Sequence, residues 1–494
     1  MNPPNVLYAT IFVKNIEKKP ISYIEKMLNI IYFLDPWIKP HKEQKHTLKG
    51  HLSFFAYEVQ KDSNVHLFVI AHQELEAYAL EEQIPVKILP LKIRGDETEF
   101  EKINKVRVLV KKSPDLIIAY ETHAQWLNEC FDKTVVVNEQ WGALSRPPFP
   151  ALTFFDYNGT YQNSILFKNA KKIKAKKLSS NEEKILNSIR KIIVCSLVQT
   201  DPLKTYAKII RKQYKKLVLI PLQIDDHISF NGCCHWENHK LMLHDILNII
   251  DKDIGVIVTQ HPDSKRKVIN VEEICNFEKL YPNFIYFSDT ENIPMLSQWW
   301  LLYVDGLLTV SSGVAYQAAL LNIPVVALGK SNINVVSSTS LSDFSKHIKY
   351  NIKNSYIDGA IWEVIHTYNF FLDDYRFDIV KLKELWYEMI GHNLFIEKSI
   401  DETLNNFKLY FRHSILQDIL LERDILTNDG DVLFESQFIY DLVIKYNNPV
   451  LSYYYNIVNH DDYNSNIVEI LPKNNVVMFF FLLIKEYFKR KFMR

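Results

Sequence analysis

The segment 307–329 holds the densest group of residues that could bind an anion. Its sequence, LLTVSSGVAYQAALLNIPVVALG, predicts a buried strand, a Ser-Ser-Gly turn, a helix of small and apolar residues and a second buried strand. The first N–H groups of a helix have no partner within it, so the hydroxyls of Ser311 and Ser312 and the backbone at Gly313 could cradle a phosphate. The alternative is an ordinary crossover helix with a serine cap.

A histidine lies at the end of another predicted strand, in the segment 256–267 (VIVTQHPDSKRK). His261 would project from the carboxyl end of that strand, and Lys265 and Arg266 follow within reach of the same anion. An imidazole placed there could offset the charge that develops on a phosphate leaving group. A structural loop histidine is the competing interpretation.

The segment 217–230 (LVLIPLQIDDHISF) also brings polar groups to a strand end. Gln223 could contact a base or sugar edge, and the carboxylate of Asp225 could accept sugar hydroxyls. The run Asp225-Asp226-His227 has no recognised metal spacing, and neither has the CCHWENH run at 233–239. We therefore expect no metal site.

Two carboxylates stand in the segment 136–164, VVNEQWGALSRPPFPALTFFDYNGTYQNS. Glu139 and Asp156 are flanked by aromatic residues and prolines, and Asp156 follows the strand-like run 151–155. Facing a sugar cleft, they could supply a nucleophile and a base, and the position of Asp156 after that run favours it as the catalytic carboxylate. The competing interpretation is that Asp156 merely begins a hairpin turn, DYNG.

The elements that would position these residues alternate between strand and helix, which favours two open and mostly parallel sheets. We expect an N-terminal unit over residues 1–163, a Lys-rich linker over 164–191 that is either a bridge or a solvated helix, a second unit over 192–357 and a helical extension over 358–494. The predicted strands are 6–12, 52–57, 65–70, 86–89, 115–119 and 134–137, then 192–196, 217–221, 255–259, 284–287, 306–309 and 324–328. The predicted helices are 16–28, 99–110, 236–250, 292–300 and 313–322.

Composition excludes several classes of protein. Among 494 residues, Lys+Arg and Asp+Glu both number 58, so no overall positive charge favours nucleic acid. Five cysteines without paired spacing are typical of a reducing compartment. The start of the chain lacks a basic signal-peptide pattern, and no apolar run reaches the ~18 residues that a membrane span needs. We expect a cytoplasmic protein.

The segment 476–494 predicts a peripheral membrane contact. Its apolar run is too short to span a bilayer, but aromatic residues alternate with cations after it, as in basic helices that lie on anionic membrane surfaces. A helix that packs on the protein is the alternative. The cations are Lys485, Lys489, Arg490, Lys491 and Arg494.

Taken in order, these segments resemble the capsule polysaccharide synthesis family, whose best-understood members are β-Kdo transferases that use CMP-Kdo. The resemblance covers residues 134–344 and rests on the E…G…R-P and D-x-N-G segment, then PLQ with an aspartate, then HP, then TVSSGV with ALLNIPVVALG. It implies a GT-B-type α/β fold of two Rossmann-like domains and retaining transfer through a carboxylate nucleophile, Asp156 or Glu139. It also implies that His261, Ser311 and Ser312 hold the CMP phosphate and that Gln223 lines the donor site.

The predicted function is therefore transfer of Kdo or a similar acidic sugar from a CMP-activated donor to a lipid-linked or growing glycan, with no cofactor. Glu139 and Arg146 stand further apart than is usual in the family, and Gln317-Ala318 replaces its common Glu-Ala pair. A UDP- or GDP-sugar transferase of the same fold remains an alternative. A sugar-nucleotide-binding assembly protein without catalysis is another.

Overall fold

Two separate β-sheets organise the chain. The computed structural model describes residues 27–37, 42–92, 96–120, 122, 125–145, 152–199, 201–225, 227–261, 267–291, 293, 295–350, 356–376, 378–394 and 399–409. The strands within these ranges are β1 (Leu28–Leu34), β2 (Val65–His72), β3 (Lys87–Leu91), β4 (Leu116–Tyr120), β5 (Val135–Trp141), β6 (Leu152–Asp156), β7 (Lys216–Pro221), β8 (Ile254–Thr259), β9 (Phe284–Ile285), β10 (Gly306–Thr309), β11 (Val325–Ala327) and β12 (Asn369–Phe371).

Both sheets share one strand order. The first runs β12-β6-β5-β4-β1-β2-β3 and the second runs β11-β10-β7-β8-β9. The five strands β1 to β5 are parallel, as are β7 to β11, whereas β6 pairs antiparallel with both β5 and β12. Within each parallel set the order is 3-2-1-4-5, the order of a Rossmann-like sheet, with a switch point between strands 1 and 4. The predicted α/β class with two such units is confirmed.

Helices cover these sheets and connect their strands. Two π-helical turns, Leu48–Leu52 and Val364–Tyr368, interrupt the helices, and short 3₁₀ turns lie at Gln125–Glu129, Tyr161–Asn163, Ser288–Thr290 and Asn332–Val336. The α-helices are α1 (Lys42–Thr47), α2 (Ser53–Val59), α3 (Gln73–Glu81), α4 (Glu99–Leu109), α5 (Ile165–Lys168), α6 (Ala170–Lys174), α7 (Ser180–Gln199), α8 (Lys204–Ile210), α9 (Ile228–Asn231), α10 (His239–Ile249), α11 (Val271–Leu280), α12 (Leu296–Trp300), α13 (Val314–Leu320), α14 (Leu341–Lys349), α15 (Tyr356–Glu363), α16 (Asp373–Arg376), α17 (Ile379–Ile390) and α18 (Ile400–Leu409).

The predicted strands that have structural counterparts begin and end within a few residues of β2 to β5 and β7 to β11. Two strand predictions are wrong, because the run 52–57 spans the end of the first π-helical turn and α2, and the run 192–196 lies in α7. The predicted helix 16–28 is wrong at its described end, since Leu28 begins β1. The predicted strand 6–12 and the basic segment 476–494 lie outside the described residues.

The segment predicted as a linker packs into a core that reaches both sheets. Ile185, Leu186, Ile189 and Ile193 of α7 are buried in one cluster with Phe154 of β6 and with strands β7, β8 and β10. The chain after residue 356 returns to the first sheet, where β12 pairs with β6. The boundaries at 163, 191 and 357 stay predictions.

Within the described ranges no helix combines the length and the apolar character that crossing a membrane requires.

Candidate active site

The switch point of the second sheet is bridged by one glutamine and one serine. Gln223 follows β7 and Ser311 follows β10, the neighbouring strand on the other side of the switch point. The Gln223 amide nitrogen donates to the Ser311 hydroxyl (2.8 Å), and its amide oxygen accepts the Ser311 backbone N–H (3.1 Å). The Ser311 hydroxyl in turn donates to the Ser229 carbonyl. Both side chains are buried, so they fix the floor of the crevice where ligands bind in such sheets.

Ser312 and Gly313 lie above this floor. Ser312 is half-buried and Gly313 is exposed. No heavy atom would lie within 4 Å of a Cβ added at Gly313, so space is open there for a ligand. The Ser312 hydroxyl accepts the Val314 backbone N–H at 3.4 Å, a local cap on the short helix α13. The predicted phosphate cradle is therefore accessible through Ser312 and Gly313, while Ser311 is committed to the floor.

A histidine that the sequence did not single out for this role supports the same edge. The Gln223 backbone N–H donates to Nε2 of His239 (3.0 Å), so Nδ1 of that imidazole carries a proton and faces the Asp225 carboxylate. Asp225 also accepts the His239 backbone N–H at 2.9 Å. His239 is buried and stacks on Phe230 with 3.8 Å between ring centroids. Asp225 therefore holds His239, which in turn bonds the backbone of Gln223.

His261 occupies the same level of the sheet as Gln223. Pro221 and Thr259 are paired in the β7–β8 register. Gln223 lies two positions after Pro221, and His261 lies two positions after Thr259. Gln260 closes the loop that follows, because its amide donates to the Ile269 carbonyl (2.7 Å) and accepts the Val268 N–H (3.0 Å). Lys265 and Arg266 lie outside the described residues.

The switch point of the first sheet is bridged as well. The Thr122 hydroxyl, after β4, donates at 3.0 Å to the carboxylate of Asp35, which follows β1. Glu139 lies at the same edge, since it is paired with Tyr120, the last residue of β4. The carboxyl edge of each sheet thus carries polar side chains at equivalent topological positions.

Glu139 is deeply buried, with 1% of its surface exposed. Its Oε1 accepts the Thr153 hydroxyl at 2.8 Å and lies 3.1 Å from Nε2 of His51. The two atoms are close enough for an ion pair, but their orientation is not that of a hydrogen bond. Burial, followed by the negative charge of Glu139 and a side-chain hydrogen bond with that carboxylate, raises the pKa of the Tyr32 hydroxyl well above its ordinary value. No described residue hydrogen-bonds Oε2 of Glu139 in a standard geometry.

Asp156 is equally buried but is held by the backbone. Its two carboxylate oxygens accept the N–H groups of Asn158 (2.7 Å) and of Ile165, the first residue of α5. Burial raises its pKa to about 6, and the two backbone hydrogen bonds oppose that rise. Asp156 therefore ties the turn at Asn158 to the start of α5.

The structure does not bring the two candidate carboxylates together. Glu139 is paired with Phe155 across the β5–β6 ladder, and Asp156 is paired with Asn138. Because neighbouring residues of a strand point to opposite faces, Glu139 and Asp156 lie on opposite faces of the first sheet. Asp156 also ends an antiparallel strand, which runs away from the carboxyl edge of β4 and β5. The catalytic assignment of each stays a prediction.

Several residues of the first edge carry no sequence signal. His51, Thr153, Asp35 and Thr122 match no motif, and only the tertiary fold brings them to the carboxyl edge. Among the described residues there is no group of three or more His, Cys, Asp or Glu side chains that could hold a metal ion.

The comparison with protein families matches the middle of the chain. Residues 132–366 match the family model described as capsule polysaccharide biosynthesis protein. This segment is just under half of the chain and contains β5, β6 and the whole second sheet. The resemblance predicted from the sequence is confirmed over this segment. No curated protein matches the chain with significant similarity.

Solved structures with similarity to the chain are distant. The KpsC β-Kdo 2,7 transferase of Thermosulfurimonas dismutans is 15% identical, with 64% of this chain and 99% of that chain covered and a TM-score of 0.38. The UDP-bound MnaA of S. aureus is 10% identical, with 76% and 99% covered and a TM-score of 0.33. The Neisseria meningitidis UDP-GlcNAc 2-epimerase bound to UDP-GlcNAc is 14% identical, with 69% and 98% covered and a TM-score of 0.29.

Proposed function

We propose that the protein is a glycosyltransferase of capsule or surface polysaccharide synthesis that uses a nucleotide-activated sugar. The observation that carries this proposal is the family match, which spans both the Glu139 strand and the second switch point. The site adds a chemical reason. A rigid floor of Gln223 and Ser311 lies under an open position at Gly313, in the crevice where Rossmann-like sheets bind nucleotides.

In this proposal the second sheet holds the donor. Ser312 and the backbone at Gly313 bind the phosphate, and His261 donates a hydrogen bond that stabilises the nucleotide as it leaves. Lys265 and Arg266, which follow His261 closely in the sequence, add positive charge. Gln223 acts chiefly through Ser311, although its amide retains one N–H and one lone pair with which to contact a ligand.

The first sheet supplies the carboxylate. We favour Glu139 over Asp156, because Glu139 lies at the carboxyl edge and its Oε2 accepts no hydrogen bond of standard geometry from a described residue, whereas both oxygens of Asp156 hold backbone N–H groups. An ionised Glu139 would attack the anomeric carbon with Oε2. The bond to the nucleotide phosphate breaks, and an acceptor hydroxyl then displaces the enzyme carboxylate. Two displacements retain the configuration of the sugar.

We further propose that the donor is a CMP-activated acidic sugar such as Kdo and that the sugar is transferred to a lipid-linked or growing glycan. A cytidine monophosphate leaving group carries one phosphate, and the phosphate-binding groups proposed for this site are a few hydroxyls and backbone N–H groups together with His261, Lys265 and Arg266. Donor binding tests the choice. Thermal unfolding with CMP, UDP and GDP should show stabilisation by CMP, about 2.7 kcal/mol at one hundred times Kd. Stabilisation by UDP or GDP alone would favour the alternative donors.

The basic segment 476–494 supports a second proposal, reversible docking on an anionic membrane surface beside a lipid-linked acceptor. Each cation near such a surface contributes about 1 kcal/mol. Flotation with anionic vesicles should recover the full chain and lose a chain ending at Asn475. Equal recovery of both chains, or of neither, would contradict docking by this segment.

A further inference from the structure

The Glu139 carboxylate shares its buried environment with a histidine outside the family-matched segment. His51 lies on the π-helical turn Leu48–Leu52, which joins α1 to α2. Its side chain is 4% exposed, and its Nε2 lies 3.1 Å from Oε1 of Glu139. Among the described residues, His51 is the basic side chain that comes within ion-pair distance of this carboxylate. A buried carboxylate is costly unless such a partner or hydrogen bonds compensate its charge.

The packing around His51 fixes the ring. It lies edge-on to Phe55 (4.7 Å between centroids) and to Tyr32 (6.1 Å), and it is tilted against Tyr120 at 6.3 Å. A π-helical turn adds a residue to the turn of a helix and is frequent at functional sites, because it redirects a side chain that an α-helix would place elsewhere. The turn therefore directs the imidazole of His51 towards β5.

Unsatisfied groups distinguish this cluster from an ordinary buried ion pair. Nδ1 of His51, Oε2 of Glu139 and Oγ1 of Thr47 are buried, and no described residue hydrogen-bonds any of them. Native interiors leave few buried polar groups without a partner, and those that remain are often part of binding or catalysis. Thr153 and His51 engage Oε1 of Glu139, and the Tyr32 hydroxyl also interacts with this carboxylate. Oε2 is the carboxylate oxygen that is buried without a hydrogen bond of standard geometry.

We propose that His51 is a positioning residue for Glu139, a role that rests on the proposed function. His51 places a positive N–H pole beside Oε1, and Thr153 donates to the same oxygen. Together they set the carboxylate so that Oε2 is presented to the sugar. His51 itself touches neither donor nor acceptor.

The test compares His51→Phe, which keeps an aromatic ring, with His51→Gln, which keeps an N–H dipole in reach of Oε1. Turnover of the CMP-sugar is measured with the purified full chain and acceptor. Since small misplacements of a reacting group cost up to about 100-fold, we expect His51→Phe to lower kcat by roughly 10- to 100-fold with donor KM unchanged. His51→Gln should stay within about threefold of wild type. His366→Phe is the matched control, because His366 is also a buried histidine on a π-helical turn, lies away from Glu139 and has its Nδ1 2.8 Å from the Thr403 hydroxyl.

A double variant separates positioning from mere support of the fold. His51→Phe combined with Glu139→Gln should turn over no more slowly than Glu139→Gln alone, because the partner that His51 positions is then absent. Wild-type inactivity towards CMP-, UDP- and GDP-sugars would overturn the proposed function and this role with it. If the wild type is active, the positioning role of His51 is overturned by an active Glu139→Gln variant or by equal impairment of His51→Gln and His51→Phe. It is also overturned if His51→Phe changes the donor KM instead of kcat, or if His366→Phe loses as much kcat as His51→Phe.

Discussion

The carboxyl edges of the two sheets have the same topology, but their buried polar groups differ in how completely they are hydrogen-bonded. At the second edge, Gln223, Ser311, His239 and Asp225 bond to one another in one connected network. At the first edge, Glu139 and its neighbours leave buried polar atoms that no described residue hydrogen-bonds. A satisfied network holds a shape, whereas unsatisfied groups are ready to interact with a ligand. In the proposed function the second edge therefore binds the donor and the first edge supplies the reacting carboxylate.

The largest expected effect is at Glu139, the carboxylate proposed to react at the first edge. Glu139→Gln keeps the shape of the side chain and removes its charge. We expect kcat to fall by roughly 10²- to 10⁴-fold, because a neutral amide cannot attack an anomeric carbon. Circular dichroism should show an unchanged fold, and release of nucleotide measures the rate. Near-normal turnover would remove Glu139 from the reaction.

Asp156→Asn is the matched change on the opposite face. Burial raises the pKa of Asp156 from 3.8 to about 6, so the folded state retains this proton to higher pH than the unfolded state does. The resulting loss of stability is absent below about pH 4, grows as the pH rises and is complete above about pH 6. The wild-type free energy of unfolding should fall relative to the variant by up to about 3 kcal/mol across that range. Urea unfolding at several pH values measures it, and a pH-independent difference would contradict the assignment.

Turnover of the same variant sharpens the contrast. Asp156→Asn should retain a kcat well above that of Glu139→Gln, because its carboxylate holds backbone and faces away from Glu139. If instead Asp156→Asn abolishes turnover and Glu139→Gln does not, then the nucleophile is Asp156 and the comparison of the two edges fails.

Intermediate effects are expected at the second edge. Ser312→Ala and His261→Ala should each lower kcat/KM for the donor by an amount that corresponds to about 1.5–3 kcal/mol, the contribution of one charge-assisted hydrogen bond. Steady-state kinetics at saturating acceptor measure the loss. Unchanged donor efficiency in both variants would exclude these residues from the site.

The smallest effect on donor use is expected at Ser311, and it distinguishes a structural role under the crevice from direct contact with the ligand. Ser311→Ala removes a hydroxyl that bonds Gln223 and the Ser229 carbonyl. We expect a loss of about 1–3 kcal/mol in unfolding free energy, because buried partners are left unsatisfied. Donor efficiency should fall less than it does in Ser312→Ala. A larger loss at Ser311 than at Ser312, with unchanged stability, would assign Ser311 to the ligand.

The sequence predicted the second edge better than the first, for physical reasons. Strands β8 and β10 are fully buried runs, β7 is buried except at Lys216, and polar residues follow each strand closely, so periodicity and position both identify them. The run 52–57 misled, because a short apolar stretch fits a buried helix face equally well, and Phe55 and Ala56 form such a face in α2.

The faces of β5 and β6 could not be predicted from sequence spacing. Whether Glu139 and Asp156 share a face depends on the register of an antiparallel pair, and a shift by one residue would reverse the answer. The neighbours of Glu139 come from distant parts of the chain. His51 precedes it by 88 residues, and its placement depends on a π-helical turn that no sequence pattern marks.

The most direct test of the account is acceptor-dependent release of nucleotide by the full chain, measured with CMP-Kdo and with UDP- and GDP-sugars beside the Glu139→Gln variant. The account predicts that wild type releases CMP from CMP-Kdo only when a glycan acceptor is present, with retention at the new linkage, and that Glu139→Gln still binds CMP but releases almost none. Donor binding by wild type without turnover of any of the three donor classes would contradict it and would indicate a binding protein.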